Sequence, residues 1–358
     1  MTLTTTTSIL ISVLVFSVSN ALFEGDDCVM LDPDGRAGKC ISLRKCHFAR
    51  ERFQILKIRP QNCGFIRKTP LVCCPKSTIP VLSNFSRSED KCREYHDLRL
   101  QGKTIAFGEK AQAREFPHMA ALGYGSRKSD VLWLCGGTLI SERFVLTAAH
   151  CIDNIEYGDP KWVRVGDLDL NDGNDDADPQ DIDVGTIFAH PEYKPPSHYN
   201  DIALIKLRTS AKFGKYVAPA CIHTKRSLPS VPLEAIGWGT TDFYGDASPH
   251  LLKVFLNVIE PKECKRIYSN TVGRRLSKGI LDESQVCAGD LSGKDTCPGD
   301  SGGPLHFLDS GSPQLKNHFV VVGVTSFGKG CGFENSAGVY TRVSNYQSWI
   351  ENTVWPIQ

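Results

Sequence analysis

The sequence predicts an all-β domain of many short strands, preceded by a small module held together by disulfides. Three observations carry that prediction. Beyond Ile105, short β-rich runs ("FVLTAA", "WVRVG", "DIALIKL", "LLKVFLNVI", "FVVVGVTSFG", "GVYTRV") alternate with turn residues. Six of the fourteen cysteines crowd between Cys28 and Cys74. The chain has 358 residues, too many for one small domain and enough for a core plus a satellite.

From the N-terminus, residues 8–18 ("SILISVLVFSV") form an apolar run followed by small residues ending at Ala21. It is shorter than the roughly 20 apolar residues a membrane helix needs. It therefore predicts a signal peptide over 1–21 and a secreted, extracellular protein. Cysteines in an exported chain read as disulfides. Residues 28–74 predict a compact module too small to rely on a hydrophobic core alone. Residues 75–104 are polar and charged, hold the Asn-x-Ser sequon at Asn84 (a glycosylation acceptor), and predict a linker. Residues 105–358 carry the strands. At the end, "SNYQSWIENTV" predicts a helix, capped by Ser344 or Asn345 and presenting Tyr346, Trp349 and Ile350 at helical spacing. There are no internal repeats.

Charge is balanced, with 41 basic and 40 acidic side chains. No strong field favours nucleic acid or an anionic membrane, so neither is expected as a partner. Cys92 stands alone in the linker, and seven cysteines follow Ile105. Full oxidation ties Cys92 to one of those seven; the alternative is one free thiol on each side. No pair of Cys-x-x-Cys units offers zinc spacing, and no metal centre is expected.

Three segments bear chemistry: "LTAAHC" with His150, "HYNDIALIKL" with Asp201 and "DTCPGDSGGPL" with Ser301. A serine hydroxyl is a weak nucleophile at neutral pH and needs an adjacent base. That base needs an acid to hold its tautomer and stabilise the imidazolium. Singly, each has a plainer reading: a structural histidine, a capping aspartate, a turn serine. Together, in the order His, Asp, Ser, they match the chymotrypsin arrangement. "GDSGG" also satisfies the G-x-S-x-G elbow of α/β-hydrolases. That fold places its acid and histidine after the serine, and only 57 residues follow Ser301, with Asp309 then His318 as candidates. The alternating strand–helix pattern it needs is also missing upstream.

With these motifs, residues 105–358 resemble a chymotrypsin-family serine protease. The upstream cysteine pattern, ending in the adjacent pair Cys73-Cys74, resembles an arthropod clip domain. The whole chain looks like a clip-domain serine protease of the snake and persephone type. The resemblance implies two six-stranded antiparallel β-barrels with a C-terminal helix. It implies Ser301 as nucleophile, His150 as base, Asp201 as its orienting acid, and the N–H groups of Gly299 and Ser301 as oxyanion hole. Asp295, six residues before Ser301, is implied at the floor of the specificity pocket, with Gly328 and Gly338 in its wall. Cleavage after Arg or Lys is then expected.

The same resemblance explains "KTIAFG". Members are switched on by one cut, after which the new terminal Ile inserts and pairs with the Asp beside the nucleophile. Here these are Ile105 and Asp300, and the cut falls after Thr104. This chain departs from the family in having Ala106 and Phe107 after Ile105, Pro298 where Gln is common and Phe327 where Trp is usual. A cut at Lys103 would leave Thr104 as the terminus. The expectation is therefore an activator of unusual specificity, or trimming after a cut at Lys103. The implied disulfides are Cys28–Cys73, Cys40–Cys63, Cys46–Cys74, Cys92–Cys221, Cys135–Cys151, Cys264–Cys287 and Cys297–Cys331. Residues 166–183 hold eight Asp where the family has a calcium loop; the plainer reading, a solvated acidic loop, is favoured, and no cofactor is required.

The implied function is that of a secreted zymogen in arthropod haemolymph, activating a downstream protease zymogen in an immune or developmental cascade. Its implied partners are that substrate, an upstream activating protease and a serpin-type inhibitor. The alternatives are an inert homologue acting by docking and a venom or digestive protease. Loss of a triad residue would favour the inert homologue, and none is lost.

Overall fold

The computed structural model describes residues 23–29, 37–46, 49, 59–66, 69–75, 86–96, 110–152, 156–240, 245–289, 296–309, 318–329 and 337–356. The chain divides into two compact units, residues 1–84 and 85–358.

In the first unit, strands β1 (Asp27–Val29), β2 (Ala37–Ser42), β3 (Asn62–Ile66) and β4 (Thr69–Pro75) form an antiparallel sheet in the order β1-β2-β4-β3. Its core is largely sulfur: Cys28, Cys40, Cys63, Cys73 and Leu71 are buried together. Disulfides join Cys28–Cys73, Cys40–Cys63 and Cys46–Cys74. Successive strand side chains point to opposite faces, so the adjacent pair Cys73-Cys74 fastens both faces of β4. A sheet this small buries too little apolar surface to stand without such staples.

The second unit holds two barrels. β5 (Met119–Tyr124), β6 (Leu132–Ser141), β7 (Phe144–Thr147), β8 (Trp162–Val165), β9 (Gln180–Ala189) and β10 (Ala203–Leu207) close into an antiparallel barrel. The second is built from β12 (Leu233–Gly237), β13 (Leu252–Val258), β14 (Gln285–Gly289), β15 (Pro304–Asp309), β16 (His318–Phe327) and β17 (Gly338–Arg342). Pairing of β16 with β17 closes that ring, and β11 (Cys221–Ile222) adds to β16 in parallel. Closure removes open edges, which is how so many short strands become stable. Residues of both barrels, among them Leu139, Ile202, Phe319 and Val324, share one buried core.

Two local expectations differ from the structure. Part of the stretch read as linker is a helix, α1 (Arg87–His96), and belongs to the second unit. Ser86 and Glu89 cap it reciprocally: Ser86 N–H donates to Glu89 Oε2 at 2.8 Å and Glu89 N–H to Ser86 Oγ at 3.3 Å. Cys92 bonds to Cys221, and Ser88 donates through both N–H and Oγ to the buried Glu351. The sequence hides this because the anchors lie far along the chain and the helix has few apolar residues of its own. The terminal helix α3 (Gln347–Val354) begins later than a cap at Ser344 or Asn345 requires, because Val343–Tyr346 form a 3-10 turn first. A further α-helix, α2 (Pro261–Ile267), packs on the second barrel.

Candidate active site

His150 lies in a 3-10 turn just after β7, and Asp201 lies just before β10, which pairs with β7. That pairing brings the two residues together. His150 Nδ1 is 2.8 Å from Asp201 Oδ2, and the His150 N–H donates to Asp201 Oδ1 at 2.9 Å. Ser326, from the second barrel, donates its hydroxyl to Asp201 Oδ2, and Thr341 Oγ1 donates to the Asp201 carbonyl at 2.7 Å. The Asp201 side chain is 1% exposed and that of His150 33%, so the acid is sealed and the ring remains open to a reactant. Burial pushes the Asp201 pKa up, but His150 and the Ser326 hydrogen bond outweigh it and hold the carboxyl below its ordinary value. Burial pulls His150 down, and the Asp201 charge and hydrogen bond raise it overall.

Ser301 sits in the turn before β15, on the second barrel. The Gly136 N–H of β6 donates to the Ser301 carbonyl at 2.7 Å, which fixes the turn to the first barrel. Gly302 has φ +78°, and a Cβ there would lie 2.2 Å from Thr147 Oγ1, on the segment leading to His150. Gly299 has φ +98°, and its Cβ would lie 2.9 Å from Gly239 Cα. Only glycine meets both the torsion and the clearance at these positions. Within the turn, the N–H groups of Asp300, Gly302 and Gly303 donate to the carbonyls of Cys297, Thr325 and Asp300. Those of Gly299 and Ser301 have no hydrogen-bond partner among the described residues. Two free donors therefore flank the serine.

Asp300 points away from Ser301 into the second barrel. Its Oδ1 accepts the Gly239 N–H at 2.8 Å and its Oδ2 the Cys297 N–H at 2.9 Å. Burial pushes its pKa up to about 6, against the pull of those two amides, and no charged group of the described residues offsets it. A Cβ on Gly237 would meet Asp300 Oδ1 at 2.0 Å, so "GWG" at 237–239 is shaped around this carboxyl. Sequence reasoning missed Gly237, Gly239, Ser326 and Thr341; the "GWG" run was the available signal for the first two.

Gly328 follows β16 and Gly338 opens β17. The register Phe327↔Val339 places them on neighbouring strands, in keeping with one pocket wall. Asn84, Thr104, Ile105, Asp295 and Cys331 lie outside the described residues. Disulfides join Cys135–Cys151 and Cys264–Cys287. Cys297 is also disulfide-bonded, with a partner outside the described residues.

Comparison with known proteins decides the family. The model described as "Trypsin" matches residues 105–350, and that described as "Regulatory CLIP domain of proteinases" matches residues 31–74. The chain is a clip-domain serine protease. It is 40% identical over 358 residues to "Serine protease snk" of Drosophila melanogaster, covering 94% of this chain and 80% of that one. It is 32% identical over 381 residues to "Phenoloxidase-activating enzyme 1" of Spodoptera litura, covering 95% and 98%. Among solved structures, the mouse brain serine protease neuropsin matches with a TM-score of 0.54 and 33% identity, over 70% of this chain and all of that one. This clip-domain protease is thus a serine endopeptidase, a hydrolase of the trypsin type.

Several carboxylates of the acidic loop already have partners within the protein. Arg164 holds Asp181 through Nε at 2.6 Å and Nη2 at 2.9 Å, and Asp167 through Nη1 at 3.2 Å. Arg114 Nη2 and Tyr216 OH both donate to Asp176 Oδ1 at 2.6 Å, and Asp175 Oδ2 accepts the Asp169 N–H at 2.9 Å. Guanidinium groups and backbone amides occupy the oxygens an ion would need, and among the described residues no three carboxylates converge. None of the helices described is long and apolar enough to cross a membrane.

Proposed function

We propose that this protease is secreted as a zymogen, is switched on by a cut after Thr104, and then cleaves protein substrates after Arg or Lys. The carrying observation is the serine turn: the Gly136 N–H and the close approach of Gly302 to Thr147 tie it to the barrel that carries the oriented His150–Asp201 pair, and the N–H groups of Gly299 and Ser301 have no partner among the described residues. In this reading Ser301 Oγ attacks the scissile carbonyl while His150 Nε2 takes its proton. The carbonyl oxygen, now an anion, is held by the N–H groups of Gly299 and Ser301. His150 then donates the proton to the leaving amine, whose departure leaves an acyl-enzyme. Water, deprotonated by the same ring, hydrolyses it. These roles are those established for triads of this family; each oxyanion donor is worth about 3–4 kcal/mol of barrier.

Asp300 supports the switch. A carboxyl buried with only two amides is poorly compensated, and an inserted ammonium from Ile105 would supply the missing charge. Pairing would hold the turn that aims the Gly299 and Ser301 donors. Asp295, the pocket-floor residue that the resemblance implies, would select the basic side chain. The likeness to a protein named as phenoloxidase-activating supports a place in an extracellular protease cascade of arthropods, with another protease zymogen as substrate. A further protease as activator and a serpin-type inhibitor complete that reading. After the cut, Cys92–Cys221 would keep the N-terminal chain attached.

The test is to convert the full chain and sequence its new N-terminus. Turnover of arginyl, lysyl, leucyl and phenylalanyl substrates is then measured, with Ser301→Ala as control. Turnover confined to the basic pair, absent in Ser301→Ala, is expected. Equal or faster turnover of the apolar pair would sink the specificity, and a terminus other than Ile105 would sink the switch. Incubation with candidate protease zymogens, followed by mapping of the cut, addresses the cascade role.

A further inference from the structure

We propose that the rim of the cleft around Phe327 is a cationic subsite, selecting substrates with acidic residues within a few positions of the cleaved bond. The proposal deepens the Arg/Lys reading above and rests on it.

Phe327 follows Ser326, the residue that donates to Asp201. The His198 ring, three residues before Asp201, stacks on it at 4.1 Å and 18°. Tyr268 meets it edge-on at 5.6 Å. Each of these rings leads to a basic segment. The His198 N–H donates to the Arg275 carbonyl at 2.9 Å. Tyr199 OH accepts the Lys278 N–H at 2.7 Å and donates to the Gly279 carbonyl at 2.8 Å. These bonds fix the exposed residues Arg274, Arg275 and Lys278 against the segment that carries Asp201. On the other side, Lys329 lies two residues beyond Phe327, with Nζ 5.3 Å from the Tyr268 ring centroid and a hydrogen bond to the Ile267 carbonyl.

None of these four cations forms an ion pair among the described residues. Their basic neighbours do: Lys265 pairs with Asp282 at 2.7 Å, Arg226 with Glu283 at 3.2 Å, and Arg266 with Glu263. The excess is local, because the whole chain carries a formal charge of only +1. Burial lowers the His198 pKa, and Arg275 and His150 add to that against the pull of Asp201. The positive field of Arg275 thus reaches the ring that stacks on Phe327. Each exposed ion pair with a substrate is weak. Several like charges around one cleft act together on encounter and on register.

The experiment uses the full chain with a site-specific protease's recognition sequence in place of residues 100–104, cut to free Ile105. Peptides share one arginyl cleavage site and carry an Asp-Glu, Asn-Gln or Lys-Arg pair on either side of it. We expect kcat/KM for the acidic peptide to exceed that of the neutral one about fivefold on at least one side at about 0.05 M salt, and the ratio to approach one at about 0.5 M. Arg274→Glu with Arg275→Glu should invert the ratio; Lys278→Glu alone should reduce it if the double variant does not fold. Arginyl cleavage with a ratio of one at low salt, or a preference for the basic flank, would overturn the proposal. Cleavage only after other residue types would instead remove the Arg/Lys reading and this proposal with it.

Discussion

Two aspartates, Asp201 and Asp300, sit in different surroundings and have opposite fates. Asp201 receives the His150 ring, the His150 N–H and the Ser326 hydroxyl, and its pKa is held low. Asp300 receives two backbone N–H groups, and burial raises it to about 6. Asp201 is sealed and Asp300 partly buried, and the two also differ in their partners: a carboxyl with a cationisable ring and a hydroxyl is a finished site. One with amides alone is short of a countercharge. In the proposed reading, the first carboxyl serves the reaction and the second would serve the switch.

The largest effect should come from Asp201→Asn. The triad loses the acceptor that fixes the His150 tautomer, and kcat/KM should fall about 10⁴-fold, the size established for triads of this family. The pH profile checks the cause. His150 must be neutral to act as base, and its pKa is raised above the ordinary imidazole value. Activity of the native enzyme should therefore fall as pH drops through that raised value, and the acid limb should move to lower pH in Asp201→Asn. An unmoved limb would break the coupling.

Next in size is Ser326→Ala, which removes one donor from a sealed carboxylate. A buried hydrogen bond to a charge is worth about 1.5–3 kcal/mol. If half is felt in the transition state, kcat/KM should fall about three- to tenfold. A pocket-only role for Ser326 would instead raise KM without moving the pH profile.

The third prediction concerns Asp300 in the uncut chain, where its folded pKa exceeds the ordinary carboxylate value. Between about pH 4 and 6 the folded chain keeps a proton that the unfolded chain releases, so rising pH destabilises. The loss over that window is about 3 kcal/mol. In the cut chain an ammonium pair would bring the Asp300 pKa down and remove this loss. Melting curves of uncut and cut protein in a Ser301→Ala background, at about pH 4.5 and 7.5, measure the difference. The cut form should gain several degrees on the uncut one at the higher pH and less at the lower. An unchanged gap would show that no new charge reaches Asp300.

The smallest effect expected is none. Because Arg164 and Arg114 already hold Asp167, Asp181 and Asp176, EDTA should leave the melting temperature unchanged. Arg114→Gln should lower it slightly, since that pair is partly exposed. A clear EDTA-induced drop would mean that the loop binds an ion after all.

The fold was legible in its periodicity and cysteines more than in its boundaries. Runs such as "FVVVGVTSFG" read as strands because alternation and β-branched residues are local signals. The chemistry of His150, Asp201 and Ser301 was legible only because three motifs coincided. α1 was not legible as a helix: the cysteine count announced the Cys92 tie, but Ser88 and Arg87 find Glu351 and the Trp355 carbonyl far along the chain, and nothing local announces those contacts. The arginines that occupy the acidic loop were hidden likewise, since Arg114 lies 62 residues from Asp176.

By itself the sequence determined which groups are available: a nucleophile, a base, two acids, an odd cysteine upstream, and glycines in the serine turn. Residue chemistry and short-range torsional limits are properties of the chain alone. Tertiary structure decided which acid meets a histidine ring and which meets backbone amides alone, which carboxylates receive guanidinium groups, and which two N–H groups have no partner among the described residues. Those outcomes depend on burial and on contacts between residues distant in sequence, because desolvation gives a charge its meaning only once the surroundings are assembled.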